Sequence, residues 1–304
     1  VAKQIVPQTT QDTSQQDLIA LTQNFSRSLG IETPVFKCYT GMHFGEQSKY
    51  VSIRFDEKQV RKWGQLELIH ITDCQYGHMC CNVEYLEQFI KWVLSEPNRF
   101  VIGGGDFVDA AHIGSPGGPY DNLFKPQTGV YKFCHLFSPL AHRIISFVGG
   151  NHERRPNLYF GDLGTLLATL LQTPYSAGQQ FVDVHFGKWA PFKINNWHGK
   201  GAAQTIGSQV LMVEKHIDKH PDAHFYPVGH LHQAFLFYRS LISRNHHNLK
   251  LDKETQCGLM SSSFLDWTGS YAEIADLREA PPLMGRVILY PDHTWEVSHT
   301  LSLK

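Results

Sequence analysis

The stretch Leu66–His78, "LELIHITDCQYGH", decides how this chain is to be read. A short, mostly apolar run meets an aspartate, Asp73, and a glutamine follows two positions later at Gln75. A run of this length, bounded by a glycine-containing turn, predicts a strand with both faces covered. An aspartate at the end of such a strand is either a metal ligand or an ordinary turn residue. The stretch alone leaves both readings open, and the rest of the chain must decide between them.

The same design recurs four times downstream. "RFVIGGGD" (99–106), "RIISFVGGNHE" (143–153), "FKINNWHG" (192–199) and "AHFYPVGH" (223–230) are each an apolar run ending in glycines and a carboxylate, amide or imidazole. Helical spacing lies between them: "VEYLEQFIKWVL" (83–94), then stretches near 127–142, 163–172 and 207–219. Further strands are expected around 233–240, 256–265 and 285–299. The last pair, "GRVILYPDHTWEVS" (285–298), reads as a hairpin with Pro291-Asp292 near its turn. Strands alternating with helices, with polar residues just past the strand ends, predict an α/β architecture whose site is built where those loops converge. The more antiparallel C-terminal part predicts a second sheet.

Upstream the texture differs. Residues 1–16 are rich in Gln and Thr and are expected to be loosely ordered. An amphipathic helix is expected over 17–29, with Gly30 as its stop; "QNFSRSLGIETP" (23–34) reads as part of this capping helix or of a helix-turn-helix. "YVSIRF" (50–55) alternates as a strand does. The expected division is an N-terminal extension, 1–64, and a main domain, 65–304.

Bulk composition narrows the function classes. Lys and Arg total 27 against 28 Asp and Glu, a net charge of −1. A protein that coats nucleic acid through charge alone would be basic. The six cysteines show no zinc-ribbon spacing, and a 304-residue chain needs no disulfide staples, so free thiols and a reducing, cytoplasmic setting are expected. The N-terminal stretch is polar and shows no signal peptide, and no apolar run approaches the roughly 20 residues of a membrane span. Histidine stands out with 18 copies.

Taken in order, the polar clusters are Asp73-Cys74-Gln75, Gly105-Asp106-Phe107-Val108-Asp109, Gly150-Asn151-His152-Glu153, Trp197-His198-Gly199 and Gly229-His230-Leu231-His232. They mix carboxylate, amide and imidazole donors, a set suited to divalent cations of intermediate hardness such as Mn²⁺, Fe²⁺ or Zn²⁺. Any one cluster is commonplace. The ordered set of five resembles the calcineurin-like metallophosphoesterase superfamily, whose motifs run D-x-H, GD-x-x-D, GNH-[DE], H and GH-x-H. That resemblance spans 65 to about 235 and implies a two-sheet β-sandwich flanked by helices, a metallophosphoesterase-like αββα fold. It implies two metal ions, the first held by Asp73, Gln75, Asp106 and His232 and the second by Asp106, Asn151, His198 and His230, with Asp106 bridging. His152 would then touch the substrate phosphate or protonate the leaving oxygen. Asp109 and Glu153 would orient the ligands or the His152 ring. The implied reaction is hydrolysis of a phosphate ester by a metal-activated hydroxide.

The first motif departs from the family, with Gln75 where histidine is usual. Three readings stand: an oxygen ligand that leans the site towards Mn²⁺ or Mg²⁺ over Zn²⁺, a weakened first site, or a degenerate binder without activity. His78 is expected to face substrate or solvent, and Cys74 to be a buried structural thiol. Arg154 and Arg155 follow the third motif, where either one guanidinium would grip phosphate or both belong to a solvated turn. The glycine-rich insert 111–129 is a candidate wall or lid, and Tyr120, Phe124 and Tyr131 offer faces on which a base could stack. The polar stretch 243–253 reads as a hairpin tip or a contact to a nucleic-acid backbone. The expected substrate is a phosphodiester, in nucleic acid or a nucleotide. The alternatives are a phosphomonoesterase or phosphoprotein phosphatase, and a non-catalytic metal-dependent binding module.

Overall fold

The computed structural model describes residues 37–38, 48–111, 119–155, 161–245 and 250–300. The stretch expected to be loosely ordered, the helix at 17–29 and parts of the insert and the 243–253 tip lie outside them. In chain order the strands are β1 (Lys37–Cys38), β2 (Tyr50–Arg54), β3 (Leu66–Ile71), β4 (Arg99–Gly103), β5 (Ile144–Val148), β6 (Tyr175–Ser176), β7 (Gln179–His185), β8 (Phe192–Trp197), β9 (Phe225–Val228), β10 (Phe235–Asn245), β11 (Lys250–Met260), β12 (Gly285–Leu289) and β13 (Trp295–His299). The helices are α1 (Glu57–Trp63), α2 (Val83–Leu94), α3 (Pro126–Phe137), α4 (Asn151–Arg154), α5 (Leu163–Leu171), α6 (Ile206–Lys219) and α7 (Tyr271–Ile274).

Among the described residues these strands form two sheets, ordered β13-β12-β3-β4-β5-β6 and β1-β2-β7-β8-β9-β11-β10. The first carries β3, β4, β5 and β6 in parallel, with β12 antiparallel at its side. Side chains alternate across β3 with the two-residue period of a strand. Leu66 and Leu68 enter a core shared with Val182, Ile194 and Leu259 of the other sheet. Ile69 and Ile71 instead join Leu86, Phe89 and Val93 of α2 and Phe133 of α3. Both faces are therefore covered, which is why the run is mostly apolar, with Glu67 and His70 buried along with its hydrophobic residues. A third cluster packs Val213 and Ile217 of α6 against Tyr226 and Val228 of β9. The result is helices, sheet, sheet, helix: the two-sheet sandwich flanked by helices expected from the sequence.

Local chemistry explains the boundaries. α2 starts where the Asn82 side chain accepts from Tyr85 N–H, and its buried residues Leu86, Phe89, Ile90 and Val93 fall on one face. α1 begins at an Asp56 cap and stops at Gly64, whose φ of 80° suits a residue without Cβ. Residues 50–63, placed by sequence in the extension, supply β2 and α1. Their Val51, Ile53, Phe55 and Val60 lie in the core between the sheets. The strand β7, "QQFVDVH", was not expected, although its alternating burial is what a period-two pattern predicts.

Candidate metal centre

All five polar clusters emerge at the C-terminal ends of strands. Asp73 and Gln75 follow β3, Asp106 and Asp109 follow β4, and Asn151, His152 and Glu153 follow β5 in the first sheet. His198 follows β8, and His230 and His232 follow β9 in the second. Backbone hydrogen bonds sew the loops together: Asp73 N–H donates to Gly105 O at 2.9 Å, Gln75 N–H to Asp106 O at 3.0 Å, and Gly229 N–H to His198 O at 3.1 Å. Two glycines allow the approach. A Cβ on Gly150 would fall 2.0 Å from Asp106 Oδ1, and one on Gly229 would fall 2.1 Å from Thr72 Oγ1.

Backbone strain is concentrated here. Among the described residues, eight non-glycine residues have positive φ, and five of them are Asp73, Gln75, Asp106, His230 and His232, at 50°, 50°, 53°, 74° and 55°. Each such conformation is unfavourable by about 1–3 kcal/mol and persists where surrounding structure enforces it.

Four acceptor atoms converge at one point. Asn151 Oδ1 lies 3.1 Å from His198 Nε2, and the same oxygen position is 3.2 Å from Asp106 Oδ2 and 2.8 Å from His230 Nδ1. His198 Nε2 is 3.1 Å from Asp106 Oδ2, while its Nδ1 faces Gly104 O at 2.7 Å. Nδ1 thus donates to Gly104 O, and in the neutral ring Nε2 turns a lone pair inward, the atom that takes the second proton when the ring is charged. Rotating the Asn151 amide would let its NH₂ donate to all three neighbours and its oxygen accept from Arg155 Nη2 at 3.1 Å. A cation among them satisfies the oxygen-inward arrangement, and Asp106, His198 and His230 alone bring ligand atoms close enough to hold one.

Next to this point are two buried oxygens without a partner, Asp73 Oδ1 and Gln75 Oε1. His232 Nε2 is 3.4 Å from Asp73 Oδ1, and Gln75 Nε2 is 3.5 Å from Asp106 Oδ2. The other Asp73 oxygen accepts from Thr72 Oγ1 and from His230 N–H, both at 2.7 Å. A buried carboxylate oxygen without a hydrogen-bond partner is what a divalent ion would satisfy, so the donor set fits metal where Asp106, His198 and His230 converge, with Asp73 and Gln75 beside it.

The charges agree. Burial by itself pushes the Asp106 carboxyl up, but His198 and His152 beside it hold it well below its ordinary range. Burial likewise works against the His198 imidazolium, yet Asp106 and Asp73 raise its pKa to about 9. The pocket therefore attracts positive charge strongly enough to overcome desolvation.

His152 stands beside the ligands. Its Nδ1 is 2.5 Å from Asp109 Oδ1, its N–H donates to Asp106 Oδ1 at 2.8 Å, and its Nε2 is 3.7 Å from Asp106 Oδ2. Asp109 thereby fixes the tautomer with Nε2 unprotonated in the neutral ring. Glu153 lies behind the site, accepting from the N–H groups of Asp106 (2.9 Å), Phe107 (2.6 Å), Val108 (3.2 Å) and Gly150 (2.8 Å). Burial and the Asp106 charge raise its pKa, and these donors work in the opposite direction.

A cavity of about 240 Å³ opens over the centre, lined by Asp106, Asn151, His152, Arg155, His230, His232 and Tyr271 among others. Arg154, an expected substrate contact, is exposed and turns away: its Nε donates to Gly150 O at 2.9 Å. The next residue, Arg155, reaches the cavity and lies 3.0 Å from His152 Nδ1. His78 is buried at 1% exposure, its Nδ1 accepting from Cys80 N–H. It lies behind the cavity wall, its ring edge-on to that of Tyr271 at 5.8 Å. Cys74 sits in the apolar core. Tyr120, Phe124 and Tyr131 do not line the cavity; Phe124 packs near Tyr76 and under Lys132. Tyr271 was missed by the sequence reading, because it lies far from any strand-end motif. Its ring stacks 6.4 Å from that of His152, and its hydroxyl is 3.4 Å from His232 Nε2.

No family model and no curated protein sequence matches the chain. Solved structures resemble it distantly. A predicted phosphoesterase of Streptococcus pneumoniae is 15% identical over 78% of this chain and 98% of its own, with a TM-score of 0.31. Vps29 of Entamoeba histolytica, complexed with zinc, is 11% identical over 77% and 98%, with a TM-score of 0.35. A protein of unknown function from Aquifex aeolicus is 15% identical over 55% and 80%, with a TM-score of 0.32. Likeness at this level leaves the functional reading to the site itself.

Proposed function

We propose that this protein is a metal-dependent phosphoester hydrolase acting on phosphodiesters, with Mn²⁺ as the preferred ion. The observation that carries the reading is the convergence of Asp106 Oδ2, Asn151 Oδ1, His198 Nε2 and His230 Nδ1 beside the unpartnered oxygens of Asp73 and Gln75. Asp106, Asn151, His198 and His230 would hold one ion, and Asp73, Gln75, Asp106 and His232 the other. Neutral oxygen donors from Gln75 and Asn151 favour Mn²⁺ or Mg²⁺ over a thiophilic ion. Bound there, the ions would neutralise phosphate charge and acidify a coordinated water.

The chain's own groups do the rest. Arg155 reaches the cavity and binds a non-bridging phosphate oxygen. His152, held at Nδ1 by Asp109, presents Nε2 to the leaving oxygen and, as imidazolium, delivers the proton. Glu153 keeps the Asp106 and Asn151 loops in register through four backbone N–H groups.

The test is turnover of bis(p-nitrophenyl) phosphate against p-nitrophenyl phosphate with added Mn²⁺, alongside metal analysis. The expected outcome is Mn²⁺-dependent turnover with diester preference. Monoester preference would overturn the substrate assignment, and bound metal without turnover of either compound would overturn the hydrolase reading.

A further inference from the structure

A second cavity, of about 650 Å³, lies beside the metal centre along α6. Gly201 and Ala203 line both cavities, so the two adjoin at the loop after His198. Its lining includes Lys200, Lys215 and Lys219 together with the apolar Trp197, Leu211 and Met212. Ser208, Leu211, Lys215 and Lys219 recur at helical spacing, so they line one face of α6 for roughly 16 Å at 1.5 Å per residue.

Positive charge predominates along this face. All three lysines are exposed, and none forms an ion pair among the described residues. Of the carboxylates nearby, Asp218 pairs with Arg239 at 2.7 Å and Asp222 with Lys193 at 2.6 Å, which leaves Glu214 as the one carboxylate of α6 not held by an ion pair among the described residues. His216 stacks on Trp197 at 3.9 Å. Burial, with His220, Lys200 and Lys219 around it, pushes the His216 pKa down to about 4. In a chain whose net charge is −1, such a run of unpaired cations is a local feature.

We infer that this groove is the track for a single-stranded nucleic acid, whose backbone phosphates meet Lys200, Lys215 and Lys219 while one phosphodiester enters the metal centre past Gly201–Ala203. The inference rests on the phosphodiester reading and names its substrate class. A single strand fits better than a duplex. The metal ligands are recessed at the bottom of a small cavity, and only a flexible backbone can bend down to them. The apolar lining of Trp197, Leu211 and Met212 also gives unstacked bases surface to pack on, although one face of Trp197 is held by His216.

The test is binding of a fluorescent single-stranded DNA of twelve nucleotides in EDTA, so that affinity is read without turnover. The wild type is compared with Lys200→Gln/Lys215→Gln/Lys219→Gln between 50 and 200 mM salt. These side chains are exposed, so the variant should fold, which circular dichroism checks. The expected result is weaker binding by the variant and a salt slope shallower by about 2, at about 0.7 per lost phosphate contact on a single strand. Equal affinity and slope for the two proteins would overturn the proposal, as would no binding by the wild type. Equal or tighter binding of the matching duplex would overturn the assignment to a single strand. Failure of the small-diester assay would sink the hydrolase reading without touching this binding result, so the two failures are separable.

Discussion

At the residue scale, the centre is built from side chains held in unfavourable states by their neighbours. Asp73, Gln75, Asp106, His230 and His232 all sit in the left-handed backbone region. Glu153 is buried among four donors with no room for error. Replacing it by Gln turns one acceptor into an NH₂ that faces N–H groups. Glu153→Gln should therefore lose about 1–3 kcal/mol, measured by urea unfolding of the metal-free protein; an unchanged midpoint would contradict the clamp. His152 is different, because it borders the ligands and is not one. His152→Ala should lower the rate on a diester by about 10²–10⁴-fold while metal content stays near that of the wild type. Loss of bound metal in that variant would reassign His152 as a ligand.

At the element scale, strand ends and helix starts decide what can approach what. Gly150 caps α4 with φ of −91°, a value any residue adopts, so its requirement is purely steric. A Cβ there would meet Asp106 Oδ1 at 2.0 Å and Asp106 N at 2.4 Å. Gly150→Ala should push β4 and β5 apart at their ends and abolish metal binding, read by metal analysis of the purified variant. Gly207 in α6 makes the opposite case, because a Cβ there meets nothing within 4 Å. Gly207→Ala should raise stability by about 0.4–1 kcal/mol by restricting the unfolded chain, seen as a higher Tm; a fall would mean that the start of α6 is packed otherwise. α2, α3, α5 and α6 were legible as helices because their apolar residues repeat at helical spacing or, for α5, form a dense run, whereas the four-residue α4 carries no such pattern. β6 and α7 were not, since two to four residues carry no period.

At the scale of the whole molecule, the end of the first sheet opposite the site is tied by one carboxylate. Glu67 of β3 is 3% exposed. It accepts from Arg99 Nε at 3.2 Å and Arg286 Nε at 2.9 Å, joining β3 to β4 and β12. Burial pushes its carboxyl up, but Arg286 and then Arg99 outweigh this and hold it below its ordinary 4.5. A depressed pKa means that the contribution is present above the unfolded value and is lost as pH falls through the folded one. Glu67→Gln should lose about 1–3 kcal/mol at pH 7, the usual loss for charge-assisted hydrogen bonds whose cationic partners keep part of their solvent. The gap between variant and wild type should shrink as pH drops below about 4.5, followed by urea unfolding from pH 7 to pH 3. A gap independent of pH would mean that packing, and not the ion pair, holds these strands.

No helix among the described residues is long and apolar enough to cross a membrane. The sequence by itself determined the alternation of strands and helices and the order of the polar clusters, because both are written in local period and residue type. It did not determine which arginine reaches the cavity. Arg154 and Arg155 are adjacent, and only the turn of α4 sends one to Gly150 O and the other to His152. Nor did it reveal Tyr271, or the gathering of Lys200, Lys215 and Lys219 around one cavity. Those depend on two sheets packing face to face, which brings strand ends distant in the chain to one rim, and no pattern along a single strand encodes that meeting.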